Sequence, residues 1–220
     1  MNSVKLLKKN KEIIIIALSH YLASLYLLNF SKHLGDFTDE KIGSILMPLI
    51  SFIKSFESNF IYSLISVIIF LLVIIDLNKS LTRKLIDIAG TVLVLRTIFD
   101  FFLLNILLLY PLKDVSGGFF LIMELLIFTP QISFAYTWLY WRFDHFSRKK
   151  GVKLLTFQDE PPVFFDYIEI SFKQICQFDP TIVKGNDIPS RILLFSQSIV
   201  MLDILTLIVT RAVQITSGQY

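Results

Sequence analysis

The chain has 220 residues, of which 54% are hydrophobic and 18% charged, with 21 phenylalanines and a formal net charge of +3. That charged fraction lies below the roughly 25% of soluble domains, and the cations sit between apolar stretches instead of forming one basic stripe, which speaks against a nucleic-acid partner. The single cysteine, Cys176, excludes an internal disulfide.

Crossing a hydrocarbon core takes about 20 mostly apolar residues. Five stretches approach this: Ile13 to Phe30, Phe60 to Ile75, Leu85 to Tyr110, Phe119 to Trp141 and Ile192 to Ile215. The expected fold is therefore an all-α membrane protein, one membrane domain over residues 1–220 with about five transmembrane helices. A multi-pass protein of the cell membrane, with the lipid bilayer as its first partner, follows from that count. Before the first stretch stand Lys5, Lys8, Lys9 and Lys11. The apolar run then continues through Leu28 without a small-residue cleavage pattern, which favours a retained span over a signal peptide. Lys79, Arg83 and Lys84, and later Arg142, Arg148, Lys149, Lys150 and Lys153, assign those connections to the cytoplasmic side.

Between the first two stretches, Ile42 to Phe56 is apolar but short, with Ser44, Pro48, Ser51 and Ser55 at helical spacing. An amphipathic helix lying in the interface fits this better than a sixth span. In the third stretch Arg96 and Asp100 are four residues apart, able to neutralise each other within one helix or to serve transport. Glu124, near the start of the fourth, either reaches the interface or acts at membrane depth.

Asp159, Glu160, Pro161 and Pro162 have the composition of a helix start. A mostly apolar run from Val163 to Phe178 follows, and Asp179-Pro180 stops it. A short helix, a polar break to Pro189 and then a full apolar stretch describe a re-entrant, pore-like half-helix, an arrangement tolerated where protein or a water-filled cavity surrounds the backbone. In the last stretch Ser196, Asp203, Thr206, Thr210 and Gln214 fall on one helical face. This stripe either lines a pore or glues helices together, with Asp203 paired to Arg96 or Arg211.

Phe165-Asp166-Tyr167-Ile168-Glu169-Ile170-Ser171-Phe172, then Arg191-Ile192-Leu193-Leu194 through Ile208-Val209-Thr210-Arg211-Ala212-Val213, resemble the pore-loop and inner-helix unit of two-helix potassium channels. The resemblance is closer to bacterial potassium-channel-like membrane proteins of unknown function that carry a degenerate version of that unit. There too a Tyr-Trp pair such as Tyr140-Trp141 ends the preceding span and a segment such as Leu155 to Pro161 leads into the loop. It divides the chain into N-terminal helices over 1–135 and a channel-like pore unit over 136–215. It implies a homo-oligomer, a tetramer by preference, around a central axis, with ions as the passing species.

The filter itself departs from that family. Where potassium channels read Thr-x-Gly-Tyr-Gly-Asp, this chain has Gln177, Phe178, Asp179, Pro180, Thr181 and Ile182. A ring of stacked carbonyls needs the torsions of glycine, and Pro180 fixes φ near about −65°. The expectation is passive, weakly selective ion passage favouring cations, with Gln177 to Thr181 and the polar stripe as its residues. The alternative is a non-conducting sensor or partner-binding module on a degenerate channel scaffold. His20, His33 and His145 are scattered, and no hydrolase, phosphate-loop or paired-cysteine motif occurs. Neither an enzyme nor a metal or cofactor is expected.

Overall fold

A computed structural model describes residues 11–30, 44, 48, 51–52, 55–56, 60–74, 78–107, 115–176 and 183–217. Six helices and two short strands follow in order: α1 Lys11–Phe30, α2 Tyr62–Ile74, α3 Lys79–Leu107, α4 Val115–Arg148, β1 Leu155–Phe157, α5 Phe164–Cys176, β2 Val183–Gly185 and α6 Ile188–Ser217. At 34 residues, α4 is about 50 Å long. It is the central element, packed against α1, α3, α5 and α6.

Local chemistry sets several helix starts. Asn78 caps α3 by accepting the Leu81 N–H at 2.8 Å. Asp166 reaches back to the Val163 N–H at 2.6 Å, opening α5. Asp187 accepts the Ser190 N–H at 2.9 Å, with Pro189 in the first turn of α6.

Two apolar cores flank α4. Ile13 and Ile16 of α1, Ile65 of α2, Leu93 of α3 and Trp138 of α4 build one. Leu103 and Leu104 of α3, Phe128 and Ile132 of α4, and Met201 and Ile204 of α6 build the other.

Helices form over all five apolar stretches, yet among the described residues only α6 is long and apolar enough to cross a membrane. The expectation of about five transmembrane helices is thereby corrected, and with it the multi-pass arrangement. The physical reasons differ by helix. With 13 residues, α2 extends about 20 Å, short of a core of about 30 Å. Arg83, Asp87, Arg96 and Asp100 stand in α3, and Glu124 and Gln131 in α4. Lys11-Glu12 opens α1, which carries His20 in its middle. Part of the apolar residues of these helices supplies the interior of the fold, and part is exposed.

The expected interfacial helix falls largely outside the described residues. Ser44, Pro48, Ser51, Phe52, Ser55 and Phe56 are helical and exposed, and the Phe52 and Phe56 rings stack at 6.2 Å. The expected half-helix over Val163 to Phe178 corresponds to α5, Phe164–Cys176. It is enclosed by an antiparallel ribbon that an all-α reading leaves out: Leu155 pairs with Gly185, Thr156 with Lys184 and Phe157 with Val183. Leu155, Phe157 and Val183 point inward with Tyr140, Tyr167 and Ile170.

Gly90 of α3 is where α3 passes the Trp138 ring of α4. An added Cβ there would lie 2.0 Å from Trp138 Cε2. Alanine gains about 1 kcal/mol of helix propensity over glycine, whereas overpacking costs about 1–3 kcal/mol. Gly90→Ala is therefore expected to lower the thermal midpoint, and Trp138→Leu in the same chain to restore part of the loss. A raised midpoint for the single variant would contradict this packing.

Candidate functional site

One cluster of buried polar groups lies where α4, α5 and α6 meet. Tyr140 donates to Gln197 Oε1 at 2.7 Å, and Gln197 Nε2 donates to the Ser171 carbonyl at 2.8 Å and to Ser171 Oγ at 3.1 Å. Ser171 Oγ in turn donates to the Ser133 carbonyl at 2.6 Å. Gln197, Ser171 and Ser133 are buried completely. In such surroundings an unpaired group costs far more than a paired one gains, so this chain of bonds fixes the rotation of α6 against α4.

The stripe expected along α6 divides accordingly. Ser196 Oγ lies 3.1 Å from Tyr136 Oη, and Asp203 Oδ2 accepts Asn105 Nδ2 of α3 at 3.0 Å. Both therefore face the interior of the chain. Thr206 and Thr210 are exposed, but their hydroxyls donate to the carbonyls one turn back, Leu202 and Thr206, each at 2.8 Å. Gln214 accepts Arg211 Nη1 at 2.8 Å. The filter-position residues Gln177, Phe178, Asp179, Pro180 and Thr181 lie outside the described residues.

Arg96 and Asp100 are fully buried, and each meets another helix. Arg96 Nη1 is 3.1 Å from His20 Nδ1 of α1, whose Nε2 is 3.0 Å from Ser66 Oγ of α2. Asp100 Oδ2 accepts Gln131 Nε2 of α4 at 2.7 Å. Glu124 is buried, not interfacial. Neither of its oxygens has a hydrogen-bond partner among the described residues. Above this layer Glu12 accepts Arg83 at 2.6 Å and Trp141 Nε1 at 2.8 Å, while Asp87 bridges Arg83 and Arg142.

A second hub is anchored by Asp144, which is wholly buried. Its Oδ1 accepts the Leu154 and Leu155 N–H groups at 3.0 Å, and its Oδ2 accepts Tyr167 Oη at 2.6 Å and Arg148 Nε at 2.5 Å. The carboxylate thus joins the end of α4 to β1 and α5. Arg148 extends the hub to the Leu155 carbonyl and to Glu160, which also pairs with Lys153 at 2.7 Å. The bonds from Arg148 and Lys153 hold the Glu160 carboxyl down to about 2. Burial, then the hydrogen bond to Asp144 and its charge, push the Tyr167 hydroxyl well up.

Sequence reasoning missed this hub. Only Asp144 and Arg148, four apart on one helix, were open to recognition as a pair. The donors from β1 and α5 leave no signature in the spacing. Among the described residues no group of three or more His, Cys, Asp and Glu converges to hold a metal.

No family model matches the chain, and neither a curated protein nor a solved structure does.

Removing one partner of a buried ion pair costs about 3–5 kcal/mol. Asp144→Ala is therefore expected to cost that much in chemical unfolding, and Tyr167→Phe only about 1–2 kcal/mol; equal losses would contradict the hub. Because the folded Glu160 carboxyl titrates below its ordinary value of 4.5, its contribution is complete above that value and disappears as pH falls through the folded one. The gap in thermal midpoint between the natural chain and Glu160→Gln should be present at about pH 6 and shrink toward about pH 3. A gap that stays constant would show that Glu160 contributes no charge interaction.

Proposed function

We propose that this chain is a membrane-seated, non-conducting module that binds a partner, with α6 in the lipid and the junction of α4, α5 and the ribbon holding it in place. The observation that carries this reading is the arrangement of polar groups on α6. Asp203 and Ser196 turn toward Asn105 and Tyr136, so the carboxylate best suited to a pore is spent on packing. The outer hydroxyls of Thr206 and Thr210 are satisfied by their own helix, which lets them lie against hydrocarbon at little cost. Only 28% of the most apolar window of α6 is buried within the chain. Ile14, Val67, Phe70, Leu95, Phe102 and Met123 add exposed apolar surface on α1 to α4. Apolar surface of that extent is covered by lipid or by protein in a stable molecule.

A second reading, passive and weakly cation-selective ion passage through a homo-tetramer, draws on the exposure of Thr206 and Thr210 one turn apart on α6. Symmetry mates would have to bring these hydroxyls to a common axis, because one copy of a two-helix unit encloses no pore.

Purified protein in planar bilayers separates the two. The first reading expects protein that stays in the membrane fraction through alkaline extraction and carries no unitary current. Asp203→Asn and Asn105→Leu should each lower stability, by about 1–2 kcal/mol. A cation current whose amplitude changes on Thr206→Lys, in assembled particles, would replace the first reading by the second.

A further inference from the structure

A cavity of about 360 Å³ opens between the end of α4, β1 and the first two turns of α6, lined by Tyr140, Phe143, Leu155, Ile192, Leu193 and Ser196 among others. Its volume falls in the range of small-molecule sites. The polar atoms around it are already engaged. Tyr140 Oη bonds Gln197, Ser196 Oγ bonds Tyr136, and the neighbouring Asp144 carboxylate takes donors from Leu154, Leu155, Arg148 and Tyr167. A polar ligand would find no free partner inside, whereas hydrocarbon would displace poorly bonded water at a gain of about 25 cal/mol for each Å² buried.

The surroundings of the mouth select the kind of hydrocarbon. On one side the cavity continues into the apolar start of α6, where Ile188, Ile192 and Phe195 are 72%, 62% and 66% exposed. Two cations stand close to the lining residues along the chain. Arg191 follows the lining residue Ser190, is exposed, and spends its Nε on the Gly185 carbonyl at 3.1 Å. Its charge also acts on the Asp187 carboxylate one turn back, so a headgroup would share the guanidinium with that carboxylate. Lys150, two residues past the end of α4, lies over the Phe146 ring, 4.2 Å from its centroid, and Phe146 is one turn along α4 from the lining residue Phe143. An apolar hole that opens beside a candidate membrane helix, with a guanidinium bonded to Gly185, the strand partner of the lining residue Leu155, is complementary to a molecule with an acyl chain and a negative head.

We propose that this cavity takes one acyl chain of an anionic phospholipid, whose phosphate is held by Arg191. The inference rests on the membrane seating of α6 proposed above. Lipid would enter sideways from the bilayer, and the filled cavity would brace the start of α6 against β1.

The test places the full chain in phosphatidylcholine vesicles doped with phosphatidylglycerol that carries a photoactivatable group on its acyl chain. Crosslinks are mapped by mass spectrometry. The expected result is enrichment at Phe143, Leu155 and Leu193 over Ile199, Leu202 and Val209 on the outer face of α6. Arg191→Gln, at an exposed position, should cut the cavity crosslinks roughly fivefold, as loss of one cation near an anionic headgroup does. Leu193→Trp should remove them while leaving those on the outer face. Crosslinks confined to the outer face would overturn the site and leave the membrane seating intact, whereas none anywhere would overturn both. Equal yields from a phosphatidylcholine probe would overturn the headgroup assignment. A cavity closed to lipid in a crosslinked dimer but open in the monomer would assign it to a second copy of the chain.

Discussion

A polar group removed from water must find a partner, and this requirement orients α6. Its polar residues meet the requirement in two ways. Ser196, Gln197 and Asp203 reach across to Tyr136, Tyr140, Ser171 and Asn105. Thr206 and Thr210 bond their own backbone. The first group fixes which side of α6 faces the chain. The second leaves the Thr206 and Thr210 hydroxyls with their hydrogen bonds made, compatible with an apolar surrounding. Rotating the helix would strand Gln197 and Asp203 in that surrounding, at a cost well above any single packing contact.

The same requirement explains the ribbon. Segments 155–157 and 183–185 flank α5 and would otherwise carry exposed backbone groups beside the start of α6. Pairing them antiparallel satisfies those groups. Asp144 caps the approach to β1, while Asn186 closes the same end from the β2 side through the Lys153 carbonyl at 2.8 Å and Thr156 Oγ1 at 2.9 Å. The cavity is a consequence of this construction: the ribbon props the start of α6 away from the end of α4, and aromatic and aliphatic side chains incompletely fill the gap.

Helix positions were legible in the sequence because apolar periodicity and caps act locally. The last apolar stretch and α6 nearly coincide, and α5 begins two residues after the Asp159-Glu160-Pro161-Pro162 segment that reads as a helix start. What each helix packs against was not legible. An apolar face of α3 or α4 reads the same whether it meets lipid or the Ile65–Leu93–Trp138 core, so the number of crossings was overestimated. The direction of the α6 stripe was hidden for a similar reason. Spacing places Asp203 and Thr206 close together on the helix, but the partner that decides between pore and packing, Asn105, stands 98 residues away. Strands of three residues carry too little alternation to be seen, so β1 and β2 were missed.

The central claim is that α6 turns Ser196, Gln197 and Asp203 into the chain and, as proposed, its outer face, Thr206 included, to lipid. Spin labels placed singly at Ile199, Leu202, Thr206 and Val209 in reconstituted vesicles measure this through collision with oxygen, which partitions into hydrocarbon, and with a water-soluble nickel chelate. The account predicts high oxygen and low nickel access at all four positions, against high nickel access at Lys149. Nickel access at Thr206 equal to that at Lys149 would contradict it and place this face of α6 in water.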